Sequence, residues 1–186
     1  SGNLQYAAYA FGHNMYCRFW QGTQLDQLLS EIAGYLAFSE NRKNRWAIDL
    51  LEGGKLVAST LVGRTHDNML FSLPNLDEAT YLERCRQNAN TQVLCIYAIL
   101  KSEALYILDE LDLARKASLE AESHIFEVGT QGLLPWARHV FISSLIAARL
   151  AQRATNEEQR HKLRDQVERG MKQVDIWAAR NPGVFR

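Results

Sequence analysis

Residues 105–121 read LYILDELDLARKASLEA, and this stretch decides the fold. It predicts the end of one helix, a turn around residues 109–112, and the start of a second helix. Before the turn, apolar residues recur at steps of three and four, which places them on one helix face: Val93, Ile96, Tyr97, Leu100, Ala104 and Ile107. After the turn, Ala114, Ala117, Ala121 and Ile125 keep the same spacing. We therefore predict a helical hairpin whose alanines allow the two backbones to approach closely.

The layout of this hairpin resembles that of tetratricopeptide repeats. A large aromatic residue on the first helix, a tight acidic turn, and alanines seven residues apart on the second helix are typical of that repeat. Ala114 and Ala121 supply the alanines. The consensus Trp, the Leu-Gly pair and the closing Pro of the repeat are missing. The resemblance therefore depends on layout more than on individual residues.

Most of the remaining sequence also has helical periodicity. Further helices are predicted over residues 3–20, 24–40, 42–62, 77–87, 136–154 and 155–181. Gly53-Gly54 inside the third predicted helix indicates either a kink or the close approach of another helix. No run alternates as a strand does, so we predict no sheet. The predicted fold class is all-α, with antiparallel helical hairpins in a tetratricopeptide-like α-solenoid or an irregular α–α bundle.

Length and composition limit the classes of protein to consider. The 186 residues, 47% hydrophobic and 23% charged, predict a single helical-repeat-like domain over residues 1–186. The sequence around Ser1-Gly2 and Phe185-Arg186 indicates a fragment of a longer chain. Lys plus Arg (21) balances Asp plus Glu (21), which argues against nucleic-acid and membrane partners. Three widely spaced cysteines are typical of a reducing cytoplasm, so we expect a cytoplasmic protein.

No stretch of the sequence predicts a reaction. His13 and Cys17 are four residues apart and could face one metal ion, but two further ligands at suitable spacing are missing. Gly53-Gly54-Lys55 lacks the other residues of a phosphate-binding loop. Cys95 is interpreted as core filler rather than as a nucleophile. We therefore expect no enzyme activity, no catalytic residues, no metal and no cofactor in this chain.

Aromatic residues crowd the first predicted hairpin: Tyr6, Tyr9, Tyr16, Trp20 and Tyr35. Because Leu4, Phe11, Met15 and Phe19 already supply an apolar stripe, some of these aromatic residues are expected to face elsewhere. In a solenoid they could line a groove that binds peptides. Alternatively, they pack on a preceding repeat. Either arrangement makes the five residues a candidate protein-contact surface, and an exposed aromatic patch would also favour a homo-oligomer.

Four phrases, QYAAYA (5–10), QGTQL (21–25), GLLP (132–135) and WAARNP (177–182), resemble the tetratricopeptide-like helical region of large bacterial signalling proteins. Those proteins are common in cyanobacteria. They also carry a serine/threonine kinase domain, an AAA-type ATPase domain, a GAF sensor and a histidine kinase. The phosphate-binding loop of the ATPase, the kinase Asp motifs and the phosphoacceptor box are absent here. The resemblance therefore implies a non-catalytic segment of a kinase.

These observations leave three functions open. The first is an interaction and relay module of a multidomain signal-transduction kinase, with flanking domains or another protein as its partner. The second is a stand-alone adaptor that binds peptides or proteins. The third is a helical bundle that senses a small molecule, which would need an apolar pocket with a few converging polar groups.

Overall fold

The computed structural model describes residues 2–65, 70–129, 132–181 and 183. In these ranges the chain forms eight helices and one short β-hairpin: α1 (Gly2–Trp20), α2 (Leu25–Asn41), α3 (Arg45–Leu61), β1 (Ser72–Leu73), β2 (Leu76–Asp77), α4 (Glu78–Gln87), α5 (Thr91–Ile107), α6 (Leu111–Ile125), α7 (Leu134–Arg153) and α8 (Glu157–Arg180). The predicted all-α class is confirmed. The prediction of no sheet is wrong in one detail, since β1 and β2 pair in antiparallel fashion through Leu73 and Leu76.

Several connections between helices repeat one turn. Lys43, Ala89 and Asp109 each adopt a positive φ, of 52°, 53° and 63°. In each case the next amide donates to a carbonyl five residues back, as Asn90 N does to Cys85 O at 3.0 Å. This is the Schellman closure of a helix, which usually places glycine at the positive-φ position. Two residues later the next helix begins, so α2–α3, α4–α5 and α5–α6 share one connection.

The chain divides into two compact units, residues 1–100 and 101–186, and the division falls within α5. The prediction of a single domain over residues 1–186 stays a prediction. In the first unit, α1 packs against both α2 and α3. A Cβ on Gly53 would overlap Tyr81 Oη, and one on Gly54 would overlap Met15 Sδ. Close packing, rather than a kink, therefore explains the glycine pair, because α3 is one continuous helix.

A buried carboxylate joins three elements of the first unit. Asp49 on α3 is 1% exposed. It accepts hydrogen bonds from Arg84 Nε at 3.1 Å, Asn88 Nδ2 at 2.8 Å and Asn90 Nδ2 at 2.5 Å. Arg84 also binds Glu52. The carboxylate therefore connects α3 to α4 and to the turn that precedes α5.

The second unit contains α6, α7 and α8. Ala114, Ala117, Ala121 and Ile125 on α6 are all buried, as predicted. Leu163 of α8 packs with Ala147, Ala151 and Ala154. Gly170 allows α8 to pass close to α7, since a Cβ there would overlap Ser144 Oγ and lie 3.3 Å from Ser144 Cβ.

Some predicted positions are wrong. Ile107, predicted on the buried face with Val93, is 60% exposed because it is the last residue of α5. The last helix begins at Glu157 and not at residue 155, because Asn156 caps it by accepting from Gln159 N at 3.2 Å. Helix α7 begins at Leu134, so Pro135 lies in its first turn, where a missing amide hydrogen costs nothing.

Candidate protein-contact surface

The five aromatic residues singled out from the sequence do not lie on one surface. Tyr6 is 75% exposed and Tyr9 is 41% exposed, whereas Trp20 and Tyr35 are half-buried. Tyr16 is 4% exposed and belongs to the core of the first unit, so its place on an exposed surface is wrong. Because α1 packs against two helices, the buried part of its circumference is wider than one apolar stripe.

Four ring-to-ring contacts form a continuous row along the side of α1 that faces α3. We call Tyr9, Trp46, His13, Tyr16 and Trp20 the aromatic row. Its ring centroids are 4.9 Å apart for Tyr9–Trp46, 5.2 Å for His13–Trp46, 5.5 Å for His13–Tyr16 and 5.1 Å for Tyr16–Trp20. Tilted and edge-to-face rings at these separations attract one another beyond the area that they bury. Trp46, which joins Tyr9 to His13, is not among the aromatic residues singled out from the sequence.

Polar contacts fix the row at two points. The Trp46 indole donates to Gln92 Oε1 at 3.2 Å. Tyr16 Oη is hydrogen-bonded to His13 Nδ1. Burial raises the pKa of Tyr16 to about 12 and lowers the pKa of His13, so both side chains are neutral at pH 7. A neutral imidazole nitrogen and a neutral hydroxyl can each donate or accept, so the tautomer of His13 sets the direction of this bond.

Tyr35 belongs to a separate cluster between α1 and α2. Its ring stacks on Phe11 with centroids 4.4 Å apart, and Phe11 meets Phe38 edge-on at 5.2 Å. Asn14 Nδ2 donates to Tyr35 Oη at 2.9 Å. Tyr35 thus holds the first hairpin together and does not join the aromatic row.

A basic turn lies beside the exposed end of the row. We use this name for the exposed residues Arg42 and Lys43 of the α2–α3 connection together with Arg45, the exposed first residue of α3. Gln5 Nε2 on α1 donates to Arg42 O at 3.2 Å, and Asn44 Nδ2 donates to Gln5 Oε1 at 2.9 Å. These bonds hold the basic turn against the first turns of α1.

The charges of the basic turn are not neutralised locally. No carboxylate forms an ion pair with these three cations in the part of the chain that the structure describes. The Arg42 guanidinium lies 5.7 Å from the centre of the Phe38 ring. Tyr9 follows Gln5 by one turn on the same face of α1, and Tyr6 is the most exposed of the aromatic residues singled out from the sequence. The arrangement offers unpaired positive charge next to exposed aromatic rings, which suits an acidic, partly apolar segment.

The residues considered for metal binding do not form a metal site. Over residues 2–65, 70–129, 132–181 and 183, no group of three or more His, Cys, Asp and Glu side chains could hold an ion. Cys17 is half-buried, and burial raises the pKa of its thiol, so it is not a thiolate at pH 7. None of the helices in these same ranges is both long and apolar enough to cross a bilayer.

The comparisons with known proteins assign no family to this chain. No protein-family model, no curated protein and no solved structure matches the chain. The resemblance to the helical region of multidomain signalling proteins therefore depends on the four short phrases alone, and it stays a prediction.

Proposed function

We propose that this chain is a non-catalytic helical-repeat module that binds an acidic segment of another protein or of a flanking domain. The observation that carries the proposal is the basic turn, unpaired in charge and held by Gln5 beside the exposed Tyr6 and Tyr9. Tyrosine and arginine, together with tryptophan, are enriched among the few interface residues that carry most of the free energy of protein binding. A zero net charge disfavours nucleic acid, whose recognition uses a broad basic face.

A more specific proposal concerns the larger protein in which the module lies and the domain that it contacts. In the arrangement implied by the sequence resemblance, the partner is a flanking domain of a multidomain signalling kinase, and the helices relay between domains. A helical repeat suits this role because each hairpin contacts mainly its neighbours, so that binding at one hairpin reorients the next hairpin along the chain. Cys17, Cys85 and Cys95 are free thiols, which is consistent with the cytoplasm as its compartment.

Calorimetric titration tests this function. The chain is titrated with each separately expressed segment that flanks it in the full-length protein, and we expect micromolar binding or tighter to one of them. The double variant Tyr6→Ala/Tyr9→Ala should weaken binding about tenfold, which corresponds to about 1.4 kcal/mol. Phe141→Ala, at an aromatic position that is 45% exposed on α7, serves as the control and should bind as the wild type does.

Charge reversal tests the basic turn separately. Arg45→Glu should weaken binding and reduce its dependence on salt, whereas Arg164→Glu, at an exposed position of α8, should change neither. If neither flanking segment binds, the relay within a kinase is wrong. If a single-stranded oligonucleotide binds more tightly than an acidic peptide of equal charge, the protein-binding function itself is wrong.

A further inference from the structure

A second site of different character lies in the second unit. A cleft of about 430 Å³ opens between α6, α7 and α8. Its volume falls in the range of about 300–1,000 Å³ that small-molecule sites occupy. The cleft is independent of the basic turn and of the aromatic row, which belong to the first unit.

The packing of α7 and α8 shapes this cleft. Gly170 lines it and brings α8 so close to α7 that Ser144 Oγ occupies the place of a side chain. Ser144 Oγ in turn donates to Val140 O at 2.7 Å and is satisfied there. Trp136, which also lines the cleft, is held edge-on against Trp177 with ring centroids 4.9 Å apart. The walls are therefore fixed by the packing of the two helices.

His139 is the unusual residue of the cleft. It lines the cleft and is 5% exposed, and its Nδ1 has no hydrogen-bond partner among the residues that the structure describes. Burial lowers the pKa of His139 to about 4, so the imidazole is neutral at pH 7. Buried polar groups in native proteins nearly always have a partner, and those without one call for an explanation. Nδ1 itself is closed to solvent, so a ligand in the cleft would meet the rest of the imidazole edge. With no partner at Nδ1 to fix the tautomer, that edge can offer either a donor or an acceptor.

The remaining lining residues define the chemistry of a ligand. Phe126 and Trp136 supply aromatic walls, together with the aliphatic Leu119 and Ile125. On the α8 side, the exposed Arg169 and the amide of Gln173 supply hydrogen-bond donors. Glu122 is the acidic lining residue and stands on α6. The donors gathered on α8 favour a carboxylate at that wall, and the aromatic walls favour a flat ring.

We propose that this cleft binds a small aromatic carboxylate, with its ring against Phe126 and Trp136, its polar edge at the His139 imidazole, and its carboxylate at Arg169. A ligand in this position contacts all three helices of the unit. It would therefore stabilise their packing and allow the unit to respond to a small molecule.

Side-chain NMR of the histidines in the whole chain tests the proposal. The probe is indole-3-propionate, which combines a flat ring, an N–H edge and a carboxylate, and it is titrated to millimolar concentration. We expect a saturable shift of the His139 imidazole resonances, which are assigned by their loss in His139→Gln. The resonances of His161, exposed on α8, should stay in place.

Variants and related probes separate the contacts. Arg169→Gln should weaken binding of indole-3-propionate about tenfold, whereas Arg164→Gln, more than one turn away on the same helix, should not. The 1-methylindole analogue, which lacks the N–H, should bind less tightly. The proposal is overturned if no His139 resonance shifts, if Arg169→Gln has no effect, or if the cation tryptamine binds as tightly as the carboxylate. A failure here leaves binding at the basic turn untouched, since the two readouts use different units.

Discussion

Tyr81 Oη of α4 occupies the space above Gly53 of α3, where a Cβ would overlap it. A Cβ on residue 53 would also lie 3.0 Å from Tyr97 Cδ2. Both rings are buried and meet each other at an angle with centroids 4.9 Å apart, so neither can move aside. Gly53 is therefore a requirement of packing, although glycine weakens a helix on its own.

Gly53→Ala should lower the free energy of unfolding by about 1–3 kcal/mol, because the added methyl group overfills a closed space. Gly54→Ala should cost less, since the atoms it meets belong to the flexible Met15 side chain. Gly34→Ala is the matched control: it lies in α2 with nothing within 4 Å, and it should stabilise by about 1 kcal/mol through helix propensity. Urea unfolding of the three variants ranks them by free energy of unfolding.

A double variant checks the cause of the Gly53→Ala loss. Tyr81→Phe removes the Oη that a Cβ would overlap, so part of the loss should be recovered when the two changes are combined. Simple additivity of the two changes would contradict the packing explanation.

Asp49→Asn should destabilise the first unit strongly, by about 2–4 kcal/mol. The change removes the buried charge that accepts from Arg84, Asn88 and Asn90 and leaves polar groups without a full set of acceptors. Asp109→Asn is the comparison, because Asp109 also pairs with two arginines, Arg149 and Arg153, but on an exposed side chain. It should change thermal stability little, as exposed ion pairs do. Equal losses of stability in Asp49→Asn and Asp109→Asn would show that the burial of Asp49 does not determine its contribution to stability.

The fold class could be predicted from the sequence because helical periodicity is local and extends over most of the chain. The buried positions Ala114, Ala117 and Ala121 followed from spacing alone. The burial of Tyr16 could not, since spacing predicts one stripe and α1 has two neighbours. Lys43 and Ala89 gave no sign of a positive φ, because residues other than glycine rarely adopt it.

The candidate sites could be predicted only in part. Tyr6 and Tyr9 were singled out from the sequence, but the position of the basic turn against α1 depends on hydrogen bonds of Gln5, which local spacing does not reveal. The cleft was beyond prediction because His139, Arg169 and Phe126 come from three parts of the chain that only folding brings together. Two features define the cleft, the buried His139 imidazole without a partner and the close packing of Gly170 against Ser144, and both arise only when the helices pack.

Ala89→Gly should raise the free energy of unfolding by several tenths to about 1 kcal/mol. Ala89 has a φ of 53° in an exposed turn, which costs an L-residue about 1–2 kcal/mol, and the greater freedom of glycine in the unfolded chain offsets part of the gain. Ala33→Gly, at an exposed position inside α2, should instead lose about 1 kcal/mol. Thermal unfolding distinguishes the two signs, and a loss at residue 89 would contradict the assigned turn.

Ala121→Leu should overfill the second unit and cost about 1–3 kcal/mol, because Ala121 is fully buried on α6. Ala33→Leu adds the same atoms to an exposed position of α2 and should change stability by less than about 0.5 kcal/mol. If Ala121→Leu unfolds at the wild-type temperature, the predicted register of the alanine face on α6 is wrong.

The free energy of unfolding of the chain should decrease as the pH is lowered through the range in which His139 titrates. Burial lowers the pKa of His139 from 6.5 to about 4, so well above pH 6.5 the imidazole is neutral in both the folded and the unfolded state and contributes no pH dependence. As pH falls from 6.5 towards about 4, the unfolded state binds a proton that the folded state does not, and stability is lost. Between pH 6.5 and about 5 the loss from this residue should be on the order of 2 kcal/mol.

Comparison of wild type with His139→Gln isolates this effect, because His13, whose pKa burial also lowers, contributes in the same direction to both proteins. Glu122 and Arg169, the charged residues that share the cleft with His139, are likewise present in both. Denaturant unfolding at intervals across the window should show a shallower pH slope in His139→Gln, whereas His161→Gln, at an exposed position of α8, should keep the wild-type slope. Equal slopes in wild type and His139→Gln would mean that the imidazole is not held neutral in the folded cleft, and the ligand chemistry inferred from a neutral ring would fail with it.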